Sequence, residues 1–118
     1  MTDPKFDLLP GTLEMMVLKT LTVGALHGYA IMRRILDKSG ELLRVEEGSL
    51  YPALHRMERR GWIEAEWGLS DSNRRAKYYC LTTRGRAELE TQTDSWERMA
   101  GAIAQVMPST RVHPRAAR

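Results

Sequence analysis

A proline stands inside the helical pattern of Glu46-Glu47-Gly48-Ser49-Leu50-Tyr51-Pro52-Ala53-Leu54-His55-Arg56-Met57-Glu58. Leu50, Leu54 and Met57 recur at i, i+4 and i+7, which is one face of a helix. Proline has no amide hydrogen to donate, and deep in a helix its ring crowds the preceding turn. It is tolerated in a first turn, where the backbone donors have no partner inside the helix. The pattern therefore predicts a short helix that begins near Ser49, a good cap residue, and is closed by Gly61. Its core face is Leu50, Leu54 and Met57. Ser49, Tyr51, Pro52, His55, Arg56 and Arg59 lie off that face and are open to a partner.

The flanking segments say what such a helix belongs to. Upstream, Leu13, Met16, Val17, Thr20 and Leu21 predict a helix from Thr12 that stops at Gly24, with Glu14 suited to its positive N-terminus. His27-Gly28-Tyr29 is expected to turn into a second helix over 28–38. Ile31, Met32, Ile35 and Leu36 form its buried stripe, and Gly40 stops it. Leu42-Leu43-Arg44-Val45 has the composition of a small strand. Downstream, 62–67 and 76–81 read as two strands around a turn-rich segment, Gly68 to Arg75. Ile63, Ala65 and Trp67 alternate with Glu64 and Glu66, and Trp62 and Trp67 are expected in the core. A long helix then runs to Met107, where Pro108 ends it. Leu89, Thr93, Trp96, Ala100, Ile103 and Met107 recur in steps of four and three, widened by Met99 and Val106. That heptad-like stripe is too long to bury on so small a domain, and a second copy of the chain would cover it.

Three short helices, a hairpin and a long helix, in that order, are the plan of a winged helix–turn–helix. The expected fold class is mainly α with a small β-hairpin: a winged helix–turn–helix over 8–82, a C-terminal dimerisation helix over 83–107 and a basic, disordered tail over 108–118. Leu8 and Leu9, just before Pro10, are candidates to dock on a neighbour. The helix at 49–60 becomes the recognition helix, because a reader in the major groove presents polar and basic groups from its exposed face. Ser49, Tyr51, His55 and Arg56 are its candidate DNA contacts, with Arg56 able either to fork to guanine or to clamp a phosphate. The hairpin offers Arg74, Arg75 and Lys77 against Asp71 alone, which suits a minor groove or flanking phosphates. Taken singly, each of these groups is an ordinary solvated side chain; the order of the elements favours DNA.

Charge and composition set bounds. The formal net charge of +3 over 118 residues comes from Arg111, Arg115 and Arg118; residues 1–110 hold 15 basic and 15 acidic side chains. The DNA-binding argument therefore rests on where cations cluster, not on the net charge. A single cysteine, Cys80, excludes an internal disulfide and a cysteine-rich zinc site, and is expected to be a small buried residue. His27, His55 and His113 lack metal-ligand spacing. There is no phosphate-binding glycine loop, no nucleophile with a partner base and no paired carboxylates in a cleft, so no enzyme and no cofactor is expected. No apolar run spans a membrane and no signal peptide is visible, so a soluble, cytoplasmic protein is expected. Trp96 admits two readings. It either fills the helix–helix interface or, paired with its twin, stacks on a flat apolar effector. A winged helix can also serve as a protein-interaction module that binds no DNA, and that alternative stays open at this level.

Four motifs carry a resemblance: Pro10-Gly11-Thr12-Leu13-Glu14; His27-Gly28-Tyr29-Ala30-Ile31; Gly48 to Glu58 followed by Gly61; and Arg74-Arg75-Ala76-Lys77-Tyr78-Tyr79 with Leu81-Thr82 and Gly85. In that order and spacing the chain resembles the PadR family of bacterial transcriptional regulators, in its short form with one C-terminal helix, over residues 8 to 105. The resemblance implies a homodimer joined through the last helices with help from the first. It implies a palindromic operator and, usually, repression of a neighbouring gene. Carried to the matching positions, it makes Ser49, Tyr51 and Arg56 recognition-helix contacts and Arg74 and Arg75 wing contacts. Some members bind phenolic acids or flat hydrophobic drugs at the dimer interface, a mode that Trp96 fits.

Overall fold

The computed structural model describes residues 11–108. The lead with Leu8 and Leu9, and the tail from residue 109 on with His113 and three arginines, lie outside them. Helix α1 spans Thr12–Thr20 and tightens into a 3₁₀ turn at Leu21–Val23 before Gly24. Its buried side is Glu14, Val17, Leu18 and Leu21, spaced i, i+3, i+4 and i+7. The expected stripe through Leu13, Met16 and Thr20 sits beside this line and is half-buried. Strand β1, Leu26–His27, leads directly into α2, Gly28–Lys38, where His27 caps the helix by accepting the Ala30 amide on Nδ1 at 3.2 Å. Ile31 and Ile35 are buried and Met32 packs beside them, as the periodicity requires.

The small strand expected at Leu42–Val45 is absent. Gly40 and Glu41 both take positive φ, and the Ser39 hydroxyl accepts the Leu43 amide at 2.9 Å, so the chain turns rather than extends. Leu43 and Val45 still reach the core from this irregular stretch. β1 takes the free edge of the sheet instead. It was not expected, because two residues show no alternation to read.

Helix α3 spans Glu47–Arg59 and so begins two residues before Ser49. The amides of Ser49 and Leu50 both donate to the Glu46 carbonyl, at 3.0 and 2.9 Å. Pro52 is the sixth residue of the helix, deeper than a first turn. It stands on the exposed side with Gly48, where water can serve a carbonyl that proline cannot. Leu50, Ala53, Leu54 and Met57 are fully buried. The helix ends as Gly61 adopts φ 79. The Gly61 amide then bonds Glu58 and the Trp62 amide bonds Met57, each at 3.0 Å, which satisfies the last carbonyls.

Strands β2, Ile63–Leu69, and β3, Arg75–Leu81, are each longer than expected, and β3 is the centre of a three-stranded antiparallel sheet ordered β1-β3-β2. The register places Ile63 opposite Leu81, Ala65 opposite Tyr79, Trp67 opposite Lys77 and Leu69 opposite Arg75. These pairs share one face, and Glu64, Glu66 and Gly68 share the other with Cys80, Tyr78 and Ala76. Helix α4 covers Thr83–Val106. The Thr82 hydroxyl accepts the Gly85 amide at 3.0 Å and donates to the Gly61 carbonyl at 2.6 Å. Gly85 lies so close to the Trp62 carbonyl that a Cβ would collide with it. The start of α4 is thus clamped to the end of α3. Leu89 packs on the core, whereas Trp96, Met99, Ile103, Val106 and Met107 are exposed. Among the described residues no helix is long and apolar enough to cross a membrane.

Candidate nucleic-acid interface

A cleft of about 1130 Å³ opens between the start of α2, the side of α3 and the wing formed by β2 and β3. Its cationic lining is Arg33, Arg34, Arg74, Arg75 and Lys77, and the only acid among its lining residues is Asp71. Tyr29 and Tyr51 stand on its α-helical side.

Tyr51 owes its place to Gly28. A Cβ on Gly28 would sit 2.7 Å from Tyr51 Cζ, so the ring lies where a side chain at 28 would be. Burial, and then the Glu47 carboxylate one turn earlier, push the Tyr51 hydroxyl pKa up; burial, Glu58 and Tyr51 do the same for Tyr79. Tyr51 therefore keeps its proton at neutral pH and can donate to an acceptor at the cleft.

Helical spacing sorts the other groups of α3. Opposite the buried Leu50, Ala53, Leu54 and Met57 come Gly48, Pro52, His55 and Arg59, all exposed and pointing directly away from the core. Tyr51 and Glu58 flank them toward the wing; Ser49, Arg56 and Arg60 flank them toward α1. Arg56 is not an unattached reader. Its Nε donates to Glu14 Oε2 at 3.1 Å, and Arg60 approaches Glu14 Oε1 at 3.7 Å. Glu14 is only 9% exposed. The signal for this pair was visible, since an acid holds one of the four positions of the buried stripe of α1. A place in the first turn of α1 suits Glu14 to the helix dipole but does not account for its burial, which the two arginines do.

At the wing, Ser70 accepts from Arg74 and donates to its carbonyl. The Ser70 amide bonds the Arg74 carbonyl at 2.8 Å, and the Ser70 hydroxyl takes the Arg74 amide at 3.3 Å. Asn73 sits at φ 63 in this tip. Arg74 and Arg75 are exposed. Lys77 is turned back toward α3, with Nζ 3.5 Å from Glu58 Oε1. Trp67, expected in the core, is 56% exposed and lines the cleft, with the Arg75 guanidinium 4.6 Å over its ring. It lies too far out along the hairpin for the core to reach. Trp62, by contrast, packs partly against the core, and Cys80 is half-buried. Tyr29, 62% exposed, joins the cleft without having been singled out, because its place depends on how α2 meets the sheet. Trp96, at 44% exposure, is not among the residues lining this cleft; it stands on the open stripe of α4.

The structure thus brings Tyr51, Arg74, Arg75 and Lys77 around one cleft. His55 lies on the adjoining outer face of α3, and Ser49 and Arg56 on its far flank.

The profile of the family described as "Transcriptional regulator PadR-like family" matches residues 17–91, from α1 into the first part of α4. An uncharacterized protein of Lysinibacillus sphaericus is 31% identical over 91 residues, spanning 76% of this chain and 83% of that protein. An uncharacterized 37.1 kDa protein from a transposon of Streptomyces fradiae is 38% identical over 90 residues; the chain spans 24% of its length. Among solved structures, a transcriptional regulator from Clostridium thermocellum superposes with a TM-score of 0.75 at 29% identity, covering 82% of this chain and 94% of that one. A PadR family transcriptional regulator from Eggerthella lenta superposes with a TM-score of 0.71 at 28% identity, covering 85% of each chain.

Proposed function

The chain belongs to the PadR-like family of transcriptional regulators, and from that premise we propose that it is a dimeric repressor that binds a palindromic operator through α3 and the wing. The single observation that carries this reading is the cleft itself. Five cations and three tyrosines border a groove between α2, the Tyr51 flank of α3 and a projecting hairpin, with one acid among its lining residues. Such a surface can place a helix in a major groove while the hairpin meets the phosphates beside it.

Roles follow from position. Tyr51, His55 and Ser49 approach base edges and sugar–phosphate from α3. Arg56, held on one nitrogen by Glu14, serves as a fixed phosphate clamp. Arg74 and Arg75 neutralise phosphates along the wing, and Lys77 joins them on leaving Glu58. The outer half of α4 pairs with that of a second copy, and Trp96 at that interface offers a face for a planar apolar effector that releases the operator.

The test uses gel shifts with the DNA upstream of the protein's own gene and with a scrambled duplex. Tyr51→Ala is expected to weaken operator binding about fivefold, the loss of one hydrogen bond of roughly 1 kcal/mol, and to leave scrambled DNA nearly untouched. Equal loss on both would remove Tyr51 from the readers. Failure of the wild-type protein to bind either duplex at low salt would overturn the DNA-binding reading and favour a protein-interaction module.

A further inference from the structure

The cations in and beside the cleft are held in different ways. Arg56 and Arg60 face Glu14, Lys77 faces Glu58, and Arg33 faces Asp37. Each of these charges has a carboxylate beside it. Arg75 has none among the described residues; what it has is an indole. Trp67 lies opposite Lys77 in the strand register, and Arg75 is its diagonal neighbour on the same face of the hairpin. The guanidinium carbon stands 4.6 Å from the ring centroid. A π-face attracts a cation without cancelling its charge, and a guanidinium can stack flat on it while its N–H groups point outward. Burial does not explain this tryptophan, because more than half of its surface is open to solvent in the cleft. The opposite face of the same hairpin carries Glu64 and Glu66, both exposed, so the wing is cationic on its cleft side and anionic on its back.

We propose that Trp67 is a positioning residue of the duplex-binding surface: its indole holds the Arg75 guanidinium toward the cleft, oriented but not neutralised, for a phosphate of the DNA backbone. The proposal rests on the DNA-binding reading above and deepens it. A free arginine on a hairpin must surrender rotamer freedom when it binds a phosphate. Stacking on Trp67 restricts that freedom beforehand. Because the contact is to backbone, the gain applies to every duplex sequence alike.

The experiment measures binding of the full chain to operator and to scrambled duplex across a salt series, for wild type, Trp67→Leu, Trp67→Phe, Arg75→Ala and the double variant Trp67→Leu/Arg75→Ala. Trp67→Leu keeps apolar bulk and loses the π-face. It is expected to weaken both duplexes by roughly two- to fivefold, the range of an exposed cation–π contact, and to lower the salt slope. Trp67→Phe is expected to recover most of the loss. The double variant is expected to bind like Arg75→Ala alone, since the indole acts only through that arginine. Additive losses in the double variant, or Trp67→Leu binding with wild-type affinity and slope while Arg75→Ala is impaired, would overturn the proposal and leave the DNA-binding reading standing. A change in melting temperature with an unchanged salt slope would also overturn it, as a purely structural role. A wild-type protein that binds neither duplex would overturn both.

Discussion

Tyr51 and Gly28 act as a single unit at the scale of the residue. Gly28 begins α2 and contributes nothing to the cleft except room, and the Tyr51 ring occupies that room. Gly28→Ala therefore tests Tyr51 without touching it. The added methyl must displace the ring, and overpacking of this kind costs about 1–3 kcal/mol when the backbone has to move. The expected outcome is a protein that still folds, by circular dichroism, but binds the operator about as weakly as Tyr51→Ala does. Wild-type operator affinity in Gly28→Ala would show that the ring's place against α2 does not matter for binding. Glu14 and Arg56 make a second unit with a different logic. A carboxylate buried in the stripe of α1 is tolerated because two guanidinium groups from the end of α3 reach it. Helix α3 is thereby tied to the first helix by charge as well as by the packing of Leu50, Leu54 and Met57.

Elements were more legible than their junctions. The stripe of α3, the span of α2, the hairpin and the long last helix could all be read from periodicity and breakers, because each has several residues that repeat a pattern. Three features could not. The start of α3 was placed late because Pro52 was confined to a first turn, whereas exposure to water and a glycine four residues earlier let it stand one turn deeper. β1 has two residues and exists only because β3 offers an edge. Trp67 alternates with acids as a core strand residue would, yet the hairpin carries it past the core, and projection is a tertiary property with no local signature. Among the candidate contacts, Arg74 and Arg75 were legible as a cationic tip, while the partners of Arg56 and Lys77, Glu14 and Glu58, lie on other elements or other faces. The prediction at this scale concerns the wing tip. Arg74→Ala is expected to weaken operator and random duplex equally, and to reduce the slope of log affinity against log salt by about 0.9, the value of one phosphate contact. A sequence-dependent loss, or an unchanged slope, would remove Arg74 from the phosphate contacts.

Seen whole, the chain is longer than a domain of its size should be. Its radius of gyration is 17.3 Å, against roughly 13 Å for a compact domain of about a hundred residues. Helix α4, at 24 residues and about 36 Å, projects beyond the core that its first turns touch. Along the projecting part Trp96, Met99, Ile103, Val106 and Met107 leave a continuous apolar strip in water. Scattered apolar residues on a surface need no explanation, but a strip in heptad spacing on a projecting helix does. A second copy of the same helix would cover it and would fix the separation of the two copies of α3. Operator half-sites one turn apart require that separation to be roughly 34 Å. Ile103→Glu places a charge in the middle of the strip without disturbing the clamp of Thr82 and Gly85 at the other end of the helix. It is expected to shift the protein from dimer to monomer in sedimentation equilibrium. Operator affinity should then fall by on the order of a hundredfold, because each half-site must be bound without the local concentration that the partner supplies. Binding to an isolated half-site should change little. If Ile103→Glu remained dimeric, the strip would not be the interface. If it became monomeric with undiminished operator affinity, one recognition helix would suffice, and the palindrome would be the part of the proposal to abandon.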